Sequence, residues 1–359
     1  MRKNTVSKAI AVILFVAVMV IGIDSCSANT LSDSPASNNS ASKPISEKNT
    51  SPIIVTWYPN ESSNTHGDVR SEVGKLIGQA TGRKVEHRLT TDYTIAIEAI
   101  ASGAADIAMS MGAVGYVEAK NKNPEINVLF VNADKNGKLD EAKYFSWLCV
   151  TVENADNYKS GGTYSIDNIR GKKMSFVSNS STSGFRVPTS SIIAHFTKDN
   201  LNEDKLIEGG ANLFFSDVYF GGSHQGSAIN LITSNVDVAA FCDTELERYV
   251  QLDEGIESEV GSVYAIKNNA EAPFNVHSGK KFMVIASYPV FNGPCAYNPK
   301  NLSPDEIQAI RDLFTSKEVA DNQVLFFDPE AKGAIGLFKK TSSYGYTLTA
   351  DSWYDPYRR

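Results

Sequence analysis

The chain has 359 residues, of which 42% are hydrophobic and 10% aromatic, so it is long enough for two domains with separate cores and is not wholly disordered. Its net charge of −7 argues against a general nucleic-acid-binding protein, because such proteins need a basic face that displaces counterions from phosphates. No second long apolar run follows the first thirty residues, which excludes a multi-span membrane protein.

The N-terminal segment predicts an exported protein with a lipid anchor. Three basic side chains precede an apolar run over residues 9–23, which is typical of a secretory signal and short for a membrane span. The run ends at Ser25-Cys26, and a small residue before a cysteine resembles the bacterial lipoprotein cleavage box, in which Cys26 becomes the lipidated first residue. Asp24 is an unusual occupant of that box, and an ordinary secretory signal with an incidental cysteine is the alternative.

A flexible tether is predicted to follow. Residues 27–52 contain eight serines and almost no apolar side chains, so they cannot bury enough surface to offset the entropy of ordering. We therefore expect a lipoprotein signal peptide over residues 1–25, a serine-rich tether over 26–52 and a folded body that starts near Ile53.

The first part of the body alternates strands and helices. Apolar spacing predicts strands over residues 53–57, 84–89, 106–110 and 128–131 and helices over 67–80, 93–102 and 114–120. Gly82 and Gly103 are predicted to end the first two helices. This order of elements predicts an α/β layer fold with a largely parallel sheet.

The same order restarts after a long strand predicted over residues 145–151. A strand over 173–177 leads into a serine- and threonine-rich turn and a helix through residue 196, and Ser303 and Glu306 form a capping box for a helix to about residue 315. Residues 96–108 and 228–239 resemble one another, each as a helix, a stop and a strand that opens on Asp. The similarity indicates two lobes built alike, with chance similarity of two common units as the alternative.

A hydroxyl-rich segment follows the strand that is predicted to end at Val177. Residues 178–184 read Ser-Asn-Ser-Ser-Thr-Ser-Gly and open a helix at the carboxyl end of a strand, where α/β proteins bind ligands. Free backbone N–H groups at a helix start, together with hydroxyls, make a neutral cradle for an oxyanion. A plain helix N-cap with surplus serines is the alternative.

The chain resembles one protein family over most of residues 53–300. Residues 181–188, Ser-Thr-Ser-Gly-Phe-Arg-Val-Pro, are similar to the helix-opening motif of the phosphate/phosphite/phosphonate-binding proteins of ABC importers. Three further segments match that family in the same order, namely residues 57–61 (Trp-Tyr-Pro-Asn-Glu), 90–100 and 222–225 (Gly-Ser-His-Gln), and the span 105–116 is also typical of it. The resemblance implies a periplasmic-binding-protein type II fold, with two α/β lobes joined by a hinge of two crossovers. Lobe 1 is expected over residues 53–147 and 290–359, and lobe 2 over residues 148–289.

The resemblance also implies the ligand contacts. Phenolic hydroxyls and a backbone N–H would come from lobe 1, and hydroxyls, backbone donors, an imidazole N–H and a carboxylate from lobe 2. The carboxylate would accept the proton of a P–OH group or pair with a ligand ammonium. Taken singly, these side chains would be packing or surface residues, and it is their joint placement after strand ends that favours a site. The predicted contacts are Tyr58, Tyr93, Met111 and Gly112 from lobe 1 and Ser181, Thr182, Ser183, His224 and Asp243 from lobe 2.

Enzyme signatures are missing from the sequence. Residues 221–225 lack the final glycine of a nucleophile elbow, and neither G-x-x-x-x-G-K-[ST] nor H-E-x-x-H occurs. We expect no enzyme activity, no cofactor and no metal, and the ATPase of an importer would be a different chain. A secreted hydrolase or transferase of phosphate esters is the alternative, and a sensor that reports to a membrane kinase is a third possibility.

The sequence thus predicts an extracytoplasmic solute-binding lipoprotein that captures a phosphorus oxyanion between its lobes and delivers it to the permease subunits of an ABC importer. It would be a monomer, anchored to the bacterial cell membrane through Cys26, with no nucleic-acid partner. Phosphate, phosphite, methylphosphonate and an aminoalkylphosphonate stay open as ligands, and loops around Asp243 and Tyr219 are expected to select among them. At most one disulfide can form among Cys149, Cys242 and Cys295.

Overall fold

The computed structural model describes residues 49–60, 67–329 and 336–358. Cys26, the predicted signal peptide, most of the predicted tether and Glu61 lie outside the described residues. The α-helices are α1 (Gly67–Thr81), α2 (Tyr93–Ser102), α3 (Ala113–Lys122), α4 (Val187–His195), α5 (His224–Ile232), α6 (Pro304–Phe314) and α7 (Lys317–Ala320). The strands are β1 (Ile53–Trp57), β2 (Val85–Leu89), β3 (Ile107–Met109), β4 (Asn127–Asn132), β5 (Lys143–Thr151), β6 (Lys159–Ser160), β7 (Thr163–Tyr164), β8 (Lys173–Phe176), β9 (Asp217–Phe220), β10 (Val238–Cys242), β11 (Val250–Glu254), β12 (Val263–Ile266), β13 (Lys281–Phe291), β14 (Pro294–Tyr297), β15 (Phe326–Phe327), β16 (Phe338–Lys339) and β17 (Tyr346–Thr347).

Lobe 1 is a mixed sheet covered by helices on both faces. Its strands lie in the order β17-β4-β14-β3-β1-β2, and β1 is parallel to both β2 and β3. Apolar residues of α1 and α6 pack with β1 in one core, and those of α2 and α3 form a second core. The expectation of a largely parallel sheet is correct for β1, β2 and β3. It is wrong for β14, which returns from lobe 2 and pairs antiparallel with both β3 and β4.

Lobe 2 repeats this arrangement with a larger sheet. Its strands lie in the order β11-β12-β13-β5-β10-β8-β9, with parallel pairing only among β10, β8 and β9 in the described residues. Two apolar cores pack on its faces, one centred on α4 and the other on α5. The long antiparallel pair β5 and β13 runs from the junction with lobe 1 into this sheet.

The chain passes between the two sheets twice. Strands β5 and β13 belong to the second sheet over their whole length, and the predicted lobe limits at 147/148 and 289/290 fall inside them. We propose residues 133–142 and 292–293 as the two crossovers. Asn292 holds them side by side, since its N–H donates to the Ala142 carbonyl at 3.1 Å and its Nδ2 donates to the Asn132 carbonyl at 2.9 Å.

Local signals in the sequence set several element boundaries. The capping box of Ser303 and Glu306 is confirmed at the start of α6. Gly82 and Gly103 follow α1 and α2 with φ of 70° and 76°, the left-handed region that favours glycine, which confirms both predicted stops. Within the described ranges, no helix combines the length and apolar character that crossing a membrane requires.

In each lobe, one aspartate forms the same pair of hydrogen bonds, which aligns neighbouring central strands. In lobe 1, the N–H of Asp106 donates to the Ile54 carbonyl, and its carboxylate accepts the Ile54 N–H, both at 2.8 Å. In lobe 2, Asp237 forms the same pair of hydrogen bonds with Lys173, at 3.0 and 2.8 Å. Each Asp lies between a helix and a strand, α2 and β3 or α5 and β10. The similarity of residues 96–108 to 228–239 therefore reflects matching structural units.

We expect Asp106→Ala to lower the free energy of unfolding by about 1–3 kcal/mol, because it leaves the Ile54 N–H without its side-chain acceptor. Asp106 also accepts a hydrogen bond from the Asn301 side chain at 2.9 Å and is buried, whereas Asp237 is half-buried. Asp237→Ala should therefore cost less. Urea unfolding of both variants beside the parent protein measures the difference. No loss in either variant would contradict the proposed alignment role, and an equal loss in both would contradict the larger contribution expected of the buried Asp106.

Candidate functional site

The predicted contact residues line one cavity between the two lobes. Its volume is about 450 Å³. Lobe 1 contributes the chain after β1 and β3 and the start of α2, and lobe 2 contributes the chain after β8 and β10 and the start of α5. The predicted residues found at its wall are Tyr58, Tyr93, Met111, Gly112, Ser181, Thr182, Ser183, His224 and Asp243.

The hydroxyl-rich segment forms a widened helix start. Residues Thr182–Arg186 adopt a π-type turn, in which the Val187 N–H donates to the Thr182 carbonyl. Ser181 is the N-cap, with its Oγ accepting the Gly184 N–H at 3.1 Å. The first N–H groups of a helix have no acceptor within the helix. The buried turn therefore presents backbone N–H groups and hydroxyls together, and π-type turns are frequent at functional sites.

A glycine allows this turn to lie against the strand before it. A Cβ atom at Gly184 would lie 2.2 Å from the Val177 side chain, which no real side chain tolerates. The Val177 N–H also donates to the Gly184 carbonyl at 3.1 Å. The glycine thus fixes the position of the three hydroxyls relative to the end of β8.

Thr182 also joins the cradle to the other lobe. Its Oγ1 accepts the Val114 N–H at the start of α3, at 2.9 Å. A Cβ atom at Gly112 would lie 2.7 Å from the same oxygen, so glycine is required for this approach. The structure therefore gives Gly112 a role in close packing, and the backbone N–H predicted from the Met111-Gly112 turn stays a prediction.

His224 is a neutral hydrogen-bond donor. Its Nδ1 accepts the Cys242 N–H at 3.1 Å, which leaves the ring proton on Nε2. Burial lowers the pKa of His224 to about 3, so the ring is uncharged at neutral pH. Its backbone N–H, at the start of α5, donates to the Asn60 carbonyl of lobe 1 at 3.1 Å. His224 thus contacts lobe 1 and offers an N–H without a positive charge.

The two predicted tyrosines have different surroundings. Their rings pack edge to face with centroids 4.8 Å apart, and burial raises the pKa of both hydroxyls, so both stay protonated. The Tyr93 hydroxyl donates to Asn60 Oδ1 at 3.0 Å, which makes Tyr93 a positioning residue for Asn60. The Tyr58 hydroxyl is buried without a hydrogen-bond partner among the described residues. Such an orphaned donor costs about 1–3 kcal/mol, and the Tyr58 oxygen lies against α3, since a Cβ atom at Gly115 would be 1.6 Å from it.

Asp243 is a carboxylate with an unusual pKa. One of its oxygens accepts the N–H groups of Phe145 and Thr244, at 2.9 and 2.8 Å. The pKa of Asp243 is raised to about 7: burial is the main cause, the Phe145 N–H opposes the shift, and the neighbouring Glu247 adds to it. Near neutral pH, the Asp243 carboxyl group is therefore ionised in some molecules and protonated in the others. The ionised form only accepts hydrogen bonds, and the protonated form also donates one.

The structure adds residues that sequence reasoning missed. Glu247 is buried at the cavity wall, where the Ser342 hydroxyl donates to it at 3.2 Å across the two lobes. No motif marks either residue, because the contact joins positions 95 residues apart. Asn60 lies inside a predicted motif, but only the folded structure shows that it accepts hydrogen bonds from both the Tyr93 hydroxyl and the His224 N–H.

Tyr219 was expected near the ligand and instead lies half exposed on the edge strand β9.

The described residues offer no site for a metal ion, since none of their His, Cys, Asp or Glu side chains gather in a group of three or more that could hold one. Cys149, Cys242 and Cys295 are buried free thiols.

The raised pKa of Asp243 predicts a pH dependence of stability. The folded protein holds a proton up to about pH 7, whereas an unfolded Asp releases it near pH 3.9. The free energy of unfolding should fall as the pH rises between these values, because the folded state binds more protons there. Asp243→Asn keeps an oxygen for the Phe145 N–H and removes the titration, so its unfolding free energy should fall less between about pH 5 and about pH 8.

Denaturant unfolding at both pH values measures this slope, with the exposed Glu259→Gln as a control that should match the parent protein. An Asp243→Asn variant as pH-sensitive as the parent would contradict the raised pKa.

The chain is similar in sequence to known binding proteins. The sequence model of a family described as "ABC transporter, phosphonate, periplasmic substrate-binding protein" matches residues 55–354. The chain is also 26% identical over 207 residues to the phosphate-import protein PhnD of Mycolicibacterium smegmatis. That match covers 56% of this chain and spans 58% of the length of this curated relative.

Solved structures share the fold. A binding protein component of an ABC phosphonate transporter from Pseudomonas aeruginosa superimposes with a TM-score of 0.59 at 20% identity, covering 86% of this chain and 84% of that one. PhnD1 from Prochlorococcus marinus, in complex with methylphosphonate, gives a TM-score of 0.59 at 13% identity, covering 85% and 95%. The type II periplasmic-binding fold with two α/β lobes is therefore confirmed. Because the family match spans nearly the whole described body, the chain belongs to the periplasmic phosphonate substrate-binding proteins of ABC transporters.

Proposed function

We propose that this protein is the solute-binding component of an ABC importer and captures a phosphorus oxyanion, namely a phosphonate, phosphite or phosphate, between its lobes. The observation that carries the proposal is the convergence of uncharged donors from both lobes on one cavity. The Tyr58 hydroxyl lies in lobe 1, and the hydroxyl turn at 181–183 and the His224 N–H lie in lobe 2.

Uncharged donors suit a ligand that must be released again. Hydrogen bonds to an ionised oxygen contribute about 1.5–3 kcal/mol each without a buried counter-charge. A helix start adds its positive end to these donors. A tetrahedral oxyanion presents several acceptor oxygens at once, which matches donors that approach from two sides.

The contacts between the lobes favour capture by closure. Val114 and Thr182 meet at 2.9 Å, and Asn60 and His224 meet at 3.1 Å, so cavity residues of both lobes also hold the lobes together. A ligand that bonds to both lobes stabilises this form by its differential affinity. The closed form would then deliver the ligand, unchanged, to the permease subunits of the importer.

The similar proteins support the ligand class. The relative from Mycolicibacterium smegmatis is described as a phosphate-import protein, and the structure from Prochlorococcus marinus holds methylphosphonate. We propose that this chain binds the same tetrahedral group without turnover, acting as a receptor and not as a hydrolase or transferase.

The location of the protein is also a proposal. The basic residues, the apolar run over 9–23 and Cys26 support export followed by lipid anchoring at the bacterial cell membrane, with a monomeric receptor on a flexible tether. In membrane fractionation, Cys26→Ser should move the protein from the membrane fraction to the soluble fraction. Unchanged membrane retention would contradict the anchor.

Thr182→Val tests the cradle directly. The substitution keeps the size of the side chain and removes one hydroxyl donor, so affinity should fall roughly 10- to 150-fold. The loss should be similar for phosphate, phosphite and methylphosphonate, because all present the same kind of oxygen. Titration calorimetry with each ligand measures it.

Thr182→Ser is the matched control. It retains the hydroxyl, which still accepts the Val114 N–H, and should bind like the parent protein. A valine variant with the affinity of the parent would overturn the assignment of Thr182, and failure of the parent to bind any of these anions would overturn the proposed function.

A further inference from the structure

The C-terminal 3-10 helix, Asp351–Tyr357, holds the end of β13 and the crossover that follows it. The Tyr357 hydroxyl accepts the Phe291 N–H at 3.0 Å, and the Tyr354 hydroxyl donates to the Asn292 carbonyl, also at 3.0 Å. Phe291 is the last residue of β13, which belongs to the sheet of lobe 2. The C-terminal helix therefore contacts the chain on both sides of the point where it leaves lobe 2.

Ring stacking and further hydrogen bonds fix the same two residues. The Trp353 indole lies on the Phe291 ring, with the centroids 4.6 Å apart and 12° between the ring planes. The N–H and the side-chain nitrogen of Asn292 donate to the Ala142 and Asn132 carbonyls, so the bond from Tyr354 adds a partner for its carbonyl. The C-terminal helix thus helps to set the backbone angles of a crossover that is only two residues long.

The crossover lies directly on the turn between β3 and α3. A Cβ atom at Gly293 would be 1.7 Å from the Met111 carbonyl oxygen and 3.1 Å from the Gly112 Cα, so the two stretches of backbone are in contact. Gly112 in turn lies against the Thr182 hydroxyl, and both Asn292 and Gly293 line the cavity. A shift of the crossover would therefore move part of the cavity wall.

The C-terminal helix is also attached to α3. The Tyr116 hydroxyl donates to the Asp351 carboxylate, and the rings of Tyr116 and Tyr354 lie with their centroids 5.1 Å apart. The first turn of α3 contains Val114, whose N–H donates to Thr182 of lobe 2 at 2.9 Å. One short segment of lobe 1 therefore holds both the crossover and the helix that meets the hydroxyl turn.

We propose that Tyr354 and Tyr357 are positioning residues for the ligand site, because their hydroxyls hold the crossover in the geometry that brings the lobes together. Neither tyrosine is among the described residues that line the cavity, so both act through the crossover and not on the ligand. Lobe closure changes the backbone angles of a few hinge residues, and bonds to those residues bias the equilibrium between the open and closed forms. The inference rests on the proposed function, since the site that they support is the oxyanion site.

A double variant with Tyr354→Phe and Tyr357→Phe tests the inference, because it removes both hydroxyls and keeps both rings. Its affinity for phosphate, phosphite and methylphosphonate should fall about tenfold, and equally for all three, since the form that binds each of them becomes less favoured. Titration calorimetry measures the affinities, and urea unfolding of the same proteins measures their stability. Tyr344→Phe is the matched control: it removes a hydroxyl that donates to Asp321 at 2.7 Å, away from the cavity wall, and should bind like the parent protein.

The outcomes separate the two proposals. A double variant that unfolds at a lower urea concentration but keeps the affinity of the parent would restrict the hydroxyls to folding stability, which overturns the inference while the proposed function stands. A loss confined to one of the three ligands would overturn it as well. If the parent protein binds none of the three anions, the proposed function itself fails. Should the double variant not fold, Tyr357→Phe alone, at a half-buried residue, supplies the same comparison with an expected loss of about threefold.

Discussion

The hydrogen bond from the Val114 N–H to Thr182 Oγ1 joins the two halves of the molecule at the point where the ligand site begins. One partner opens a helix of lobe 1, and the other opens the hydroxyl turn of lobe 2. Two glycines make the approach possible, because a side chain at Gly112 would collide with Thr182 and one at Gly184 would collide with Val177. The position of the cradle, the contact between lobes and the shape of the cavity all depend on this junction.

Electrical neutrality is the second constraint on the site. Among the described residues of the cavity wall, the His224 imidazole is neutral, because the Cys242 N–H occupies its Nδ1 and burial disfavours its charged form. The tyrosine hydroxyls remain protonated for the same reason. The wall carries charges of both signs, since Arg70, Lys135 and Lys143 line it beside a larger number of acidic side chains, and the charge of Asp243 is only partly developed near neutral pH. Under the proposed function, directed dipoles of the hydroxyl turn and of His224 would hold the anion.

Much of this arrangement could be predicted from sequence because short local patterns carry it. Glycine stops, the capping box and the alternation of elements place the strand ends, and the hydroxyl segment and His224 follow strand ends directly. Long-range features could not be predicted in that way. The antiparallel insertion of β14, the engagement of Tyr93 by Asn60 and the contact of Ser342 with Glu247 depend on residues far apart in the chain. The predicted lobe limits differ by a few residues from the crossovers that we propose, since alternation indicates where β5 begins but not which sheet it joins.

The central claim is that uncharged donors hold the oxyanion, and the ionisation of His224 tests it most directly. Nitrogen-15 NMR of the imidazole, recorded with methylphosphonate bound across about pH 5 to 8, distinguishes the neutral ring from the charged one. We predict a ring that stays neutral over this range with its proton on Nε2, since its pKa is about 3. A His224 that titrates near its ordinary pKa of about 6.5, or that gains a proton when the ligand binds, would contradict the account.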